Sequence, residues 1–452
     1  MMHRKNRRLK KTIVALSCAS VIAVAAVGLA GCGSVAEDTT NTIFLYPINY
    51  YGIEGKAFTS RWDGMAGACE DYGWDISGDG QKDSKQFVAT RLDSCTMPDD
   101  TNIIFVNNQT WDTSLALTDK LVEYQPLVVL SLCNGAEFCS EQIAAYSPGT
   151  DNVTFASFSE SYKEEFLNGG IDYTASKYTS SIAPIVHAVY KAVTTGEKYT
   201  DENGDALALS QEYWMVDSYD TYCEMEQYDM YDVEGGEQAT IMKADMDDLD
   251  TYDEFADFVE TYTASYDGVK SLVAKHEEEN TTDTTATTDE FTIGLLIPSS
   301  VNDSIQAYMD FIEGYLADVY NFKVNTYSVS SSVSQADACG LACNANCDAI
   351  ISLQDDTDRA TACETANKNG IWFAIAGSCV TDYESDSETE WDQMNACEYY
   401  VGSIGTDLDA EYHAGYDLVE MYLKEIIERG DLSDVTEELV MTDELALYRE
   451  ND

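Results

Sequence analysis

The sequence predicts an α/β protein with two parallel-sheet lobes. In both halves of the chain, short apolar runs of strand length alternate with longer segments whose apolar residues recur at helical spacing. Strands and helices that alternate in this way form right-handed βαβ units, which build parallel sheets. A polar, threonine-rich segment at residues 276–290 separates the two halves and is predicted to be a linker.

The half that follows the linker shows the pattern clearly. Residues 291–297 form an apolar run that Pro298 ends, and Ile305, Ile312 and Leu316 then share one face of a predicted helix at 305–320. Further strands are predicted at residues 322–329, 348–353, 371–376 and 399–404, and further helices at 332–343, 358–369 and 409–429.

The half that precedes the linker repeats this arrangement. Strands are predicted at residues 42–46, 102–106, 127–132, 153–158 and 212–216, and helices at 59–72, 84–92, 113–123, 180–194 and 253–275. An acidic, tyrosine-rich segment at residues 217–250 interrupts the pattern. We expect it to be a solvated insertion, with a surface for cations or a partner as the alternative.

The amino terminus has the pattern of an exported lipoprotein. Six basic residues precede an apolar segment at 12–28, which is short for a membrane span. The next four residues, Leu29 to Cys32, resemble the lipobox of bacterial lipoproteins. The resemblance implies cleavage before Cys32 and diacylation of its thiol, which would anchor the chain on the extracytoplasmic face of the membrane. A plain secretory signal that happens to contain a cysteine is the alternative.

These segments divide the chain into a signal peptide (1–31), a first α/β lobe (32–275), the linker (276–290) and a second α/β lobe (291–452). Cleavage before Cys32 removes six of the 25 basic residues, so 19 remain against 82 acidic residues and the formal charge becomes −63. Such a charge excludes electrostatic binding to nucleic acid or to an anionic membrane surface. The lipid anchor is then the one predicted membrane contact.

Cysteine is abundant, with 13 residues, of which 11 remain after the signal peptide and the lipid-bearing cysteine are set aside. Because 11 is odd, at least one thiol is free or pairs with another molecule. The spacing of Cys339, Cys343 and Cys347 favours buried thiols or disulfides between helices over a metal site, since no histidine accompanies them. Cys379 and Cys397 flank an acidic loop that a disulfide could close.

Several short segments carry a resemblance to a known family: residues 293–295, 347–351, 369–371, 401–403 and 413–415 in the second half, and 61–65, 103–108, 166–174 and 189–197 in the first. With these segments, the two lobes resemble those of type I periplasmic binding proteins, a family that includes sugar-binding lipoproteins of ABC transporters. This resemblance implies two Rossmann-like lobes hinged around a central cleft, with ligand bound at the carboxyl ends of the strands.

The order of the lobes is unusual for that family. The first half of the chain resembles the family's second lobe, and the second half resembles its first lobe. A circular permutation, with the threonine-rich linker joining the original termini, is one explanation. Two divergent lobes in a different arrangement are the other.

Sugar sites combine planar polar side chains with aromatic faces. Arg61 is the principal candidate, because the resemblance implies that its guanidinium group contacts two ligand oxygens; a salt bridge is the alternative. Phe158 stands where the family commonly has an acidic ligand residue, which argues against a preference for glucose or galactose. The other candidate ligand contacts at predicted strand ends are Asn107, Asn108, Trp111, Lys177, Asn302, Asp303 and Asp355.

One segment resembles a calcium loop. Oxygen-bearing side chains recur at the spacing of such a loop, and Gly80 occupies its sixth position. The twelfth position is Gln86 rather than the usual glutamate, and a glycine-rich turn is the alternative. The candidate calcium ligands are Asp75, Ser77, Asp79, Gln81 and Asp83.

The resemblance implies a binding protein rather than an enzyme. Such a protein captures a small polar ligand, a sugar or a related compound, by hinge closure for an ABC importer, and it requires no cofactor, although calcium is compatible with the loop. The alternative is a surface sensor that presents its closed state to a membrane receptor. An extracytoplasmic hydrolase ranks below both, because the sequence has no GxSxG, Walker or HExxH motif.

Overall fold

Two sheets of parallel strands organise the chain in the computed structural model. The structure describes residues 42–46, 56–71, 75–78, 101–106, 128–131, 154–158, 167, 171–229 and 240–429, with gaps at 280, 282, 284, 300, 302, 331, 354–357 and 382–389. Residues 41–452 form one compact unit. Among the described helices, none is long and apolar enough to cross a membrane.

The first sheet has seven described strands in the order β2-β1-β3-β4-β5-β6-β8. All neighbours are parallel except β6 and β8, which are antiparallel. The strands are β1 (Thr42–Tyr46), β2 (Asp75–Gly78), β3 (Thr101–Val106), β4 (Val128–Ser131), β5 (Thr154–Phe158), β6 (Tyr173–Ser176) and β8 (Trp214–Val216).

The second sheet has six described strands, all parallel, in the order β10-β9-β11-β12-β13-β7. Five of them come from the second half of the chain, and the edge strand β7 comes from the first half. The order of those five is that of a doubly wound sheet, in which the second strand lies outside the first. The strands are β7 (Leu207–Ser210), β9 (Phe291–Pro298), β10 (Phe322–Val329), β11 (Ala349–Ser352), β12 (Trp372–Ser378) and β13 (Tyr400–Thr406).

The helices begin and end where the sequence provides caps. Ser334 and Asp337 form a reciprocal capping box at the start of α8, and Gly196, with φ of 75°, ends α2. The described helices are α1 (Lys56–Asp71), α2 (Ala183–Thr195), α3 (Tyr219–Asp229), α4 (Tyr252–Phe258), α5 (Tyr266–Glu279), α6 (Asp303–Phe311), α7 (Ala317–Tyr320), α8 (Gln335–Asn344), α9 (Arg359–Lys368), α10 (Glu390–Asn395) and α11 (Leu408–Arg429).

The central strands of the second sheet are buried along their length, because helices cover both faces. Every residue of β11 and of β13 is buried. One apolar cluster includes α2, α6 and the inner residues of β9, and another includes α8 and α9 with Phe373 and Tyr400. The predicted α/β class with two parallel sheets is therefore confirmed.

The structure differs from the predicted elements in the part of the chain between β8 and β9. A five-residue π-helical turn, Val259–Thr263, separates α4 from α5, where one helix at 253–275 was predicted. Helix α5 continues through Glu279, inside the predicted linker. Within the acidic segment, Met225, Ile241 and Met246 are buried in the core, so part of this segment packs instead of being solvated.

Candidate functional site

Within the described residues, three segments carry the chain from one sheet to the other. Residues 177–182 connect β6 to α2, which packs on β12 and β13 of the second sheet. Residues 211–213 connect β7 to β8, and residue 407 connects β13 to α11, which packs on β5 and β6 of the first sheet. We call these the hinge segments. The segments at 177–182, 211–213 and 407 each begin at the carboxyl end of a parallel strand, so they meet at that end of both sheets.

Hydrogen bonds join the hinge segments to one another. The Gln211 side chain donates from Nε2 to the carbonyl of Ser181 at 3.2 Å and to that of Thr263 at 3.1 Å. The Gln211 amide donates to the carbonyl of Gly405 at 2.8 Å. Tyr213, in the same segment, donates from its hydroxyl to Glu411 Oε1 at 2.9 Å. Glu411 lies in the first turn of α11, just after the third hinge segment.

Glu411 is the centre of a buried charge network, with only 3 % of its surface exposed. It accepts hydrogen bonds from Arg61 Nε at 2.5 Å and from Thr406 Oγ1 at 3.1 Å, and Lys177 Nζ lies 3.9 Å from its Oε1. Arg61 Nη2 also donates to the Tyr213 hydroxyl at 2.6 Å. Burial acts to raise the pKa of Glu411, but the positive charges of Arg61 and Lys177 outweigh it and hold the pKa below its usual value.

A close contact between α1 and α11 holds Arg61 in this network. A Cβ atom on Gly415 would lie 2.2 Å from the Arg61 carbonyl oxygen, and one on Gly64 would lie 2.0 Å from the Tyr412 carbonyl oxygen. The two backbones approach this closely because neither glycine has a side chain. The Ser60 hydroxyl donates to the Leu408 carbonyl at 2.5 Å across the same contact. The helices therefore fix the Arg61 side chain against Glu411.

Lys177 bridges the two sheets directly. Its Nζ donates to the carbonyl oxygen of Gly377, near the end of β12, at 2.9 Å. Its ammonium group also lies 5.5 Å from the centre of the Tyr213 ring. Beside this bridge is a pocket of about 10 Å³, a volume that holds about one water molecule. The pocket is lined by Lys177, Tyr178, Ser181, Gln211, Glu212, Tyr308, Gly377, Gly405 and Thr406.

The pocket combines the chemistry expected for a small polar ligand. It contains an ammonium group, hydroxyl groups, an amide and two tyrosine rings, contributed by the hinge segments, by the second sheet and by α6. Such groups hydrogen-bond to ligand oxygens and pack on apolar ligand faces. The histidines whose positions the structure describes, His187, His276 and His413, do not line it.

The structure brings two of the predicted site residues together, since Arg61 and Lys177 both face Glu411. Asp303 is the first residue of α6, and Asp75 and Ser77 belong to β2 as backbone strand residues. Their predicted ligand and calcium contacts stay predictions. Outside the described residues lie Asn107, Asn108, Trp111, Asn302 and Asp355, the calcium candidates Asp79, Gln81 and Asp83, and the lipidation candidate Cys32.

Sequence reasoning missed the residues that hold the network together. Glu411 is 350 residues from Arg61 along the chain, and 82 acidic residues offered no means of choosing it. Tyr213 lies in a predicted strand at 212–216, and Gln211 lies just before it. In the structure, β8 begins at Trp214, and residues 211–213 form a hinge segment. The available signal was their position between two strands that belong to different sheets.

No family model and no curated protein matches the chain. Solved structures similar to it are type I periplasmic binding proteins. A carbohydrate transporter solute-binding protein from Agrobacterium radiobacter, in complex with D-arabinose, is 8% identical with a TM-score of 0.39, over 88% of this chain and 90% of that one.

Two further structures are similar to the same degree. A glucose-galactose binding protein from Geobacillus stearothermophilus is 7% identical with a TM-score of 0.39, over 87% of this chain and 92% of that one. LsrB from Clostridium saccharobutylicum, in complex with AI-2, is 10% identical with a TM-score of 0.38, over 86% and 82%. The α/β fold of this chain follows from its own strand order and pairing.

Proposed function

We propose that this chain is a lipid-anchored, extracytoplasmic solute-binding protein that captures a small polar ligand by closure of its two lobes and delivers it to an ABC importer. The observation that carries the proposal is the Lys177–Gly377 hydrogen bond beside the hinge segments. It joins the carboxyl ends of two strands in different sheets, next to a polar pocket that the hinge segments, the second sheet and α6 line. A cleft closed at one end by three short connections opens and closes by rotation about them.

The ligand class follows from the groups around the pocket. Lys177 offers a hydrogen bond to a ligand oxygen once its bond to Gly377 opens, and Tyr308 lines the pocket with an aromatic ring. A sugar or a related polyhydroxy compound has hydroxyl groups at its edges and apolar C–H faces, so it matches both. The pocket's volume of about 10 Å³ is too small for such a ligand, so entry requires the lobes to move apart at the Lys177–Gly377 bond.

The location follows from the lipobox-like residues at 29–32. A diacylated Cys32 would hold the mature chain at the extracytoplasmic surface of a bacterial membrane, because two acyl chains anchor a protein stably where one does not. A calcium ion bound by the segment that starts at Asp75 would be structural, and it takes no part in the proposed capture of ligand.

A thermal-shift screen of the full chain in detergent tests the proposal, across monosaccharides, oligosaccharides, nucleosides and amino acids, with and without calcium. A ligand at about a hundred times its dissociation constant stabilises the folded protein by about 2.7 kcal/mol. For a chain of this length that free energy corresponds to a rise of about 3 °C in Tm.

A matched pair of variants locates the response. We expect Lys177→Met to reduce or abolish the shift, because it removes the ammonium group beside the pocket. Lys368→Met should keep the full shift, because Lys368 is exposed on α9, where it pairs with Glu364. An absence of shift with every ligand class, in a chain that unfolds cooperatively, contradicts a solute-binding role. An equal shift in both variants contradicts the location of the site.

A further inference from the structure

Lys177 supplies the ammonium group of the pocket, and among the described residues no carboxylate accepts a hydrogen bond from it. Its side chain is 17% exposed, and its Nζ donates to the neutral carbonyl of Gly377 at 2.9 Å. Glu411 Oε1 lies 3.9 Å from that Nζ, which is beyond hydrogen-bonding distance. An ammonium group has three hydrogens to donate, so Lys177 has the capacity to bind a further acceptor.

Glu411 is not that acceptor, because its oxygen atoms already have other donors. The oxygen that faces Lys177, Oε1, accepts from the Tyr213 hydroxyl at 2.9 Å and from Thr406 Oγ1 at 3.1 Å. These two hydrogen bonds use both lone pairs of that oxygen. The other oxygen, Oε2, accepts from Arg61. The ammonium group of Lys177 is therefore near a negative charge without being bonded to it.

Another buried cation at the same edge of the second sheet is matched by a carboxylate. Arg359, at the start of α9, donates from Nε and Nη2 to the two carboxylate oxygens of Glu390, at 3.0 Å and 2.8 Å. Lys198, like Lys177, donates to carbonyl oxygens, but it does not line the pocket. A cation that is mostly removed from water is stabilised by a directly bonded anion. At the pocket, only a ligand can supply that anion to Lys177.

We propose that the ligand carries a carboxylate group, which accepts from Lys177 in place of the Gly377 carbonyl, so that the captured solute is a sugar acid or a related polyhydroxy acid. This inference rests on the solute-binding function proposed above and names the class of ligand. A hydrogen bond between an ammonium group and a carboxylate is stronger than one to a neutral carbonyl, because both partners are charged. Exchange of the Gly377 carbonyl for a ligand carboxylate therefore favours binding.

The other groups at the pocket restrict the charge and the shape of this ligand. Glu212 also lines the pocket, and its negative charge repels a phosphate, which carries about −1.5 to −2, more strongly than a carboxylate, which carries −1. The Tyr308 ring lies next to the acceptor of Lys177, since a Cβ atom on Gly377 would be 3.7 Å from that ring. An apolar C–H face beside the carboxylate of the ligand would pack on this ring.

Calorimetric titration of the full chain in detergent tests the proposal with matched pairs of compounds. The pairs are D-galactose with D-galacturonate and D-glucose with D-glucuronate, and D-glucose 6-phosphate is the phosphate probe. We expect the acid of a pair to bind about tenfold more tightly than its neutral counterpart. Added salt should weaken binding of the acid and leave binding of the neutral sugar unchanged, because salt screens charges that are partly exposed.

Variants assign the preference to Lys177. In Lys177→Met, we expect the acid to bind no more tightly than its neutral counterpart, whereas Lys177→Arg, which keeps the charge, should retain the preference. The control is Lys198→Met, which removes a lysine that also bonds carbonyl oxygens but lies outside the pocket lining, and it should retain the preference in full. Glu212→Gln should strengthen binding of the acid by up to about fivefold. Cooperative unfolding of each variant is checked first, and the salt dependence of the wild type tests the role of charge independently.

The possible results separate this inference from the proposed function. If a neutral sugar or the phosphate binds as tightly as the acids or more so, or if Lys177→Met keeps the preference, the carboxylate assignment is wrong and the solute-binding function stands. The same holds if none of the five compounds binds but a nucleoside or an amino acid stabilises the chain in the thermal-shift screen. If no compound of either experiment binds, the proposed function is wrong and the ligand class falls with it.

Discussion

Replacement of Glu411 by glutamine tests whether the buried network at the hinge stabilises the protein. The variant keeps the size of the side chain and one carbonyl oxygen but removes the negative charge. Arg61 and Lys177 would then face a neutral amide in a site where the Arg61 and Glu411 side chains are 11% and 4% exposed. Removal of one partner from a buried ion pair costs about 3–5 kcal/mol.

The expected change in Tm follows from the length of the chain. Unfolding entropy of about 2.1 cal/mol/K per residue gives about 0.9 kcal/mol per degree for a chain of this length. The variant Glu411→Gln should therefore melt about 3–6 °C below the wild type at neutral pH. The control is Glu364→Gln, which removes an exposed pair with Lys368 on α9 and should cost about 0.5 kcal/mol or less.

The dependence of stability on pH provides a second and more specific test of the Glu411 network. Because the pKa of Glu411 is lower in the folded protein than its usual value of 4.5, the unfolded chain binds this proton first as pH falls. The stabilisation by Glu411 is complete above pH 4.5 and is lost below it, as pH falls through the folded pKa. The gap in stability between wild type and Glu411→Gln, measured by denaturant unfolding, should narrow over that range. If Glu411→Gln lowers the free energy of unfolding at neutral pH no more than Glu364→Gln does, the reasoning is refuted.

Two other substitutions give measurable outcomes. Burial and the nearby Lys243 lower the pKa of His187 from 6.5 to about 3, so between those pH values only the unfolded chain binds this proton. The free energy of unfolding should therefore fall by about 2.5 kcal/mol from pH 7 to pH 4.5. In urea unfolding, His187→Gln should remove this part of the pH dependence. Gly415→Ala should lower stability by about 1–3 kcal/mol in the same assay, because its Cβ meets the Arg61 backbone, whereas Gly340→Ala, which meets nothing within 4 Å, should not destabilise.

Five strands of the second sheet, those from the second half of the chain, were predictable because each of them carries its own signal. The apolar run at 291–297 and the alternating segment at 322–329 correspond to β9, Phe291–Pro298, and β10, Phe322–Val329. Strand β7, Leu207–Ser210, was missed, because its four residues pair with β13 at the sheet edge and stand far from the other strands in sequence. A short edge strand is specified by its partner, which local periodicity does not reveal.

The site was predictable only in part, for the same physical reason. Arg61 and Lys177 stand out in an acidic chain, since only 25 residues are basic. The partner of Arg61 is defined by the contact between α1 and α11, which depends on Gly64 and Gly415. Both glycines lie in segments that carry the resemblance, but their role in this contact appears only when the helices are brought together.

Under the proposed function, one group of contacts at the hinge is kept when the lobes separate, and the other is broken. The bonds of Gln211 and Tyr213 join segments that stay together when the lobes separate, so they persist in both states. The bond between Lys177 and Gly377 joins the two sheets and must break on opening. A hydrogen bond from a charged donor contributes about 1.5–3 kcal/mol, which is small enough for a ligand to reverse by binding one state more tightly. A ligand oxygen that accepts from Lys177 would replace the Gly377 carbonyl, so capture of ligand and closure of the lobes would depend on the same ammonium group.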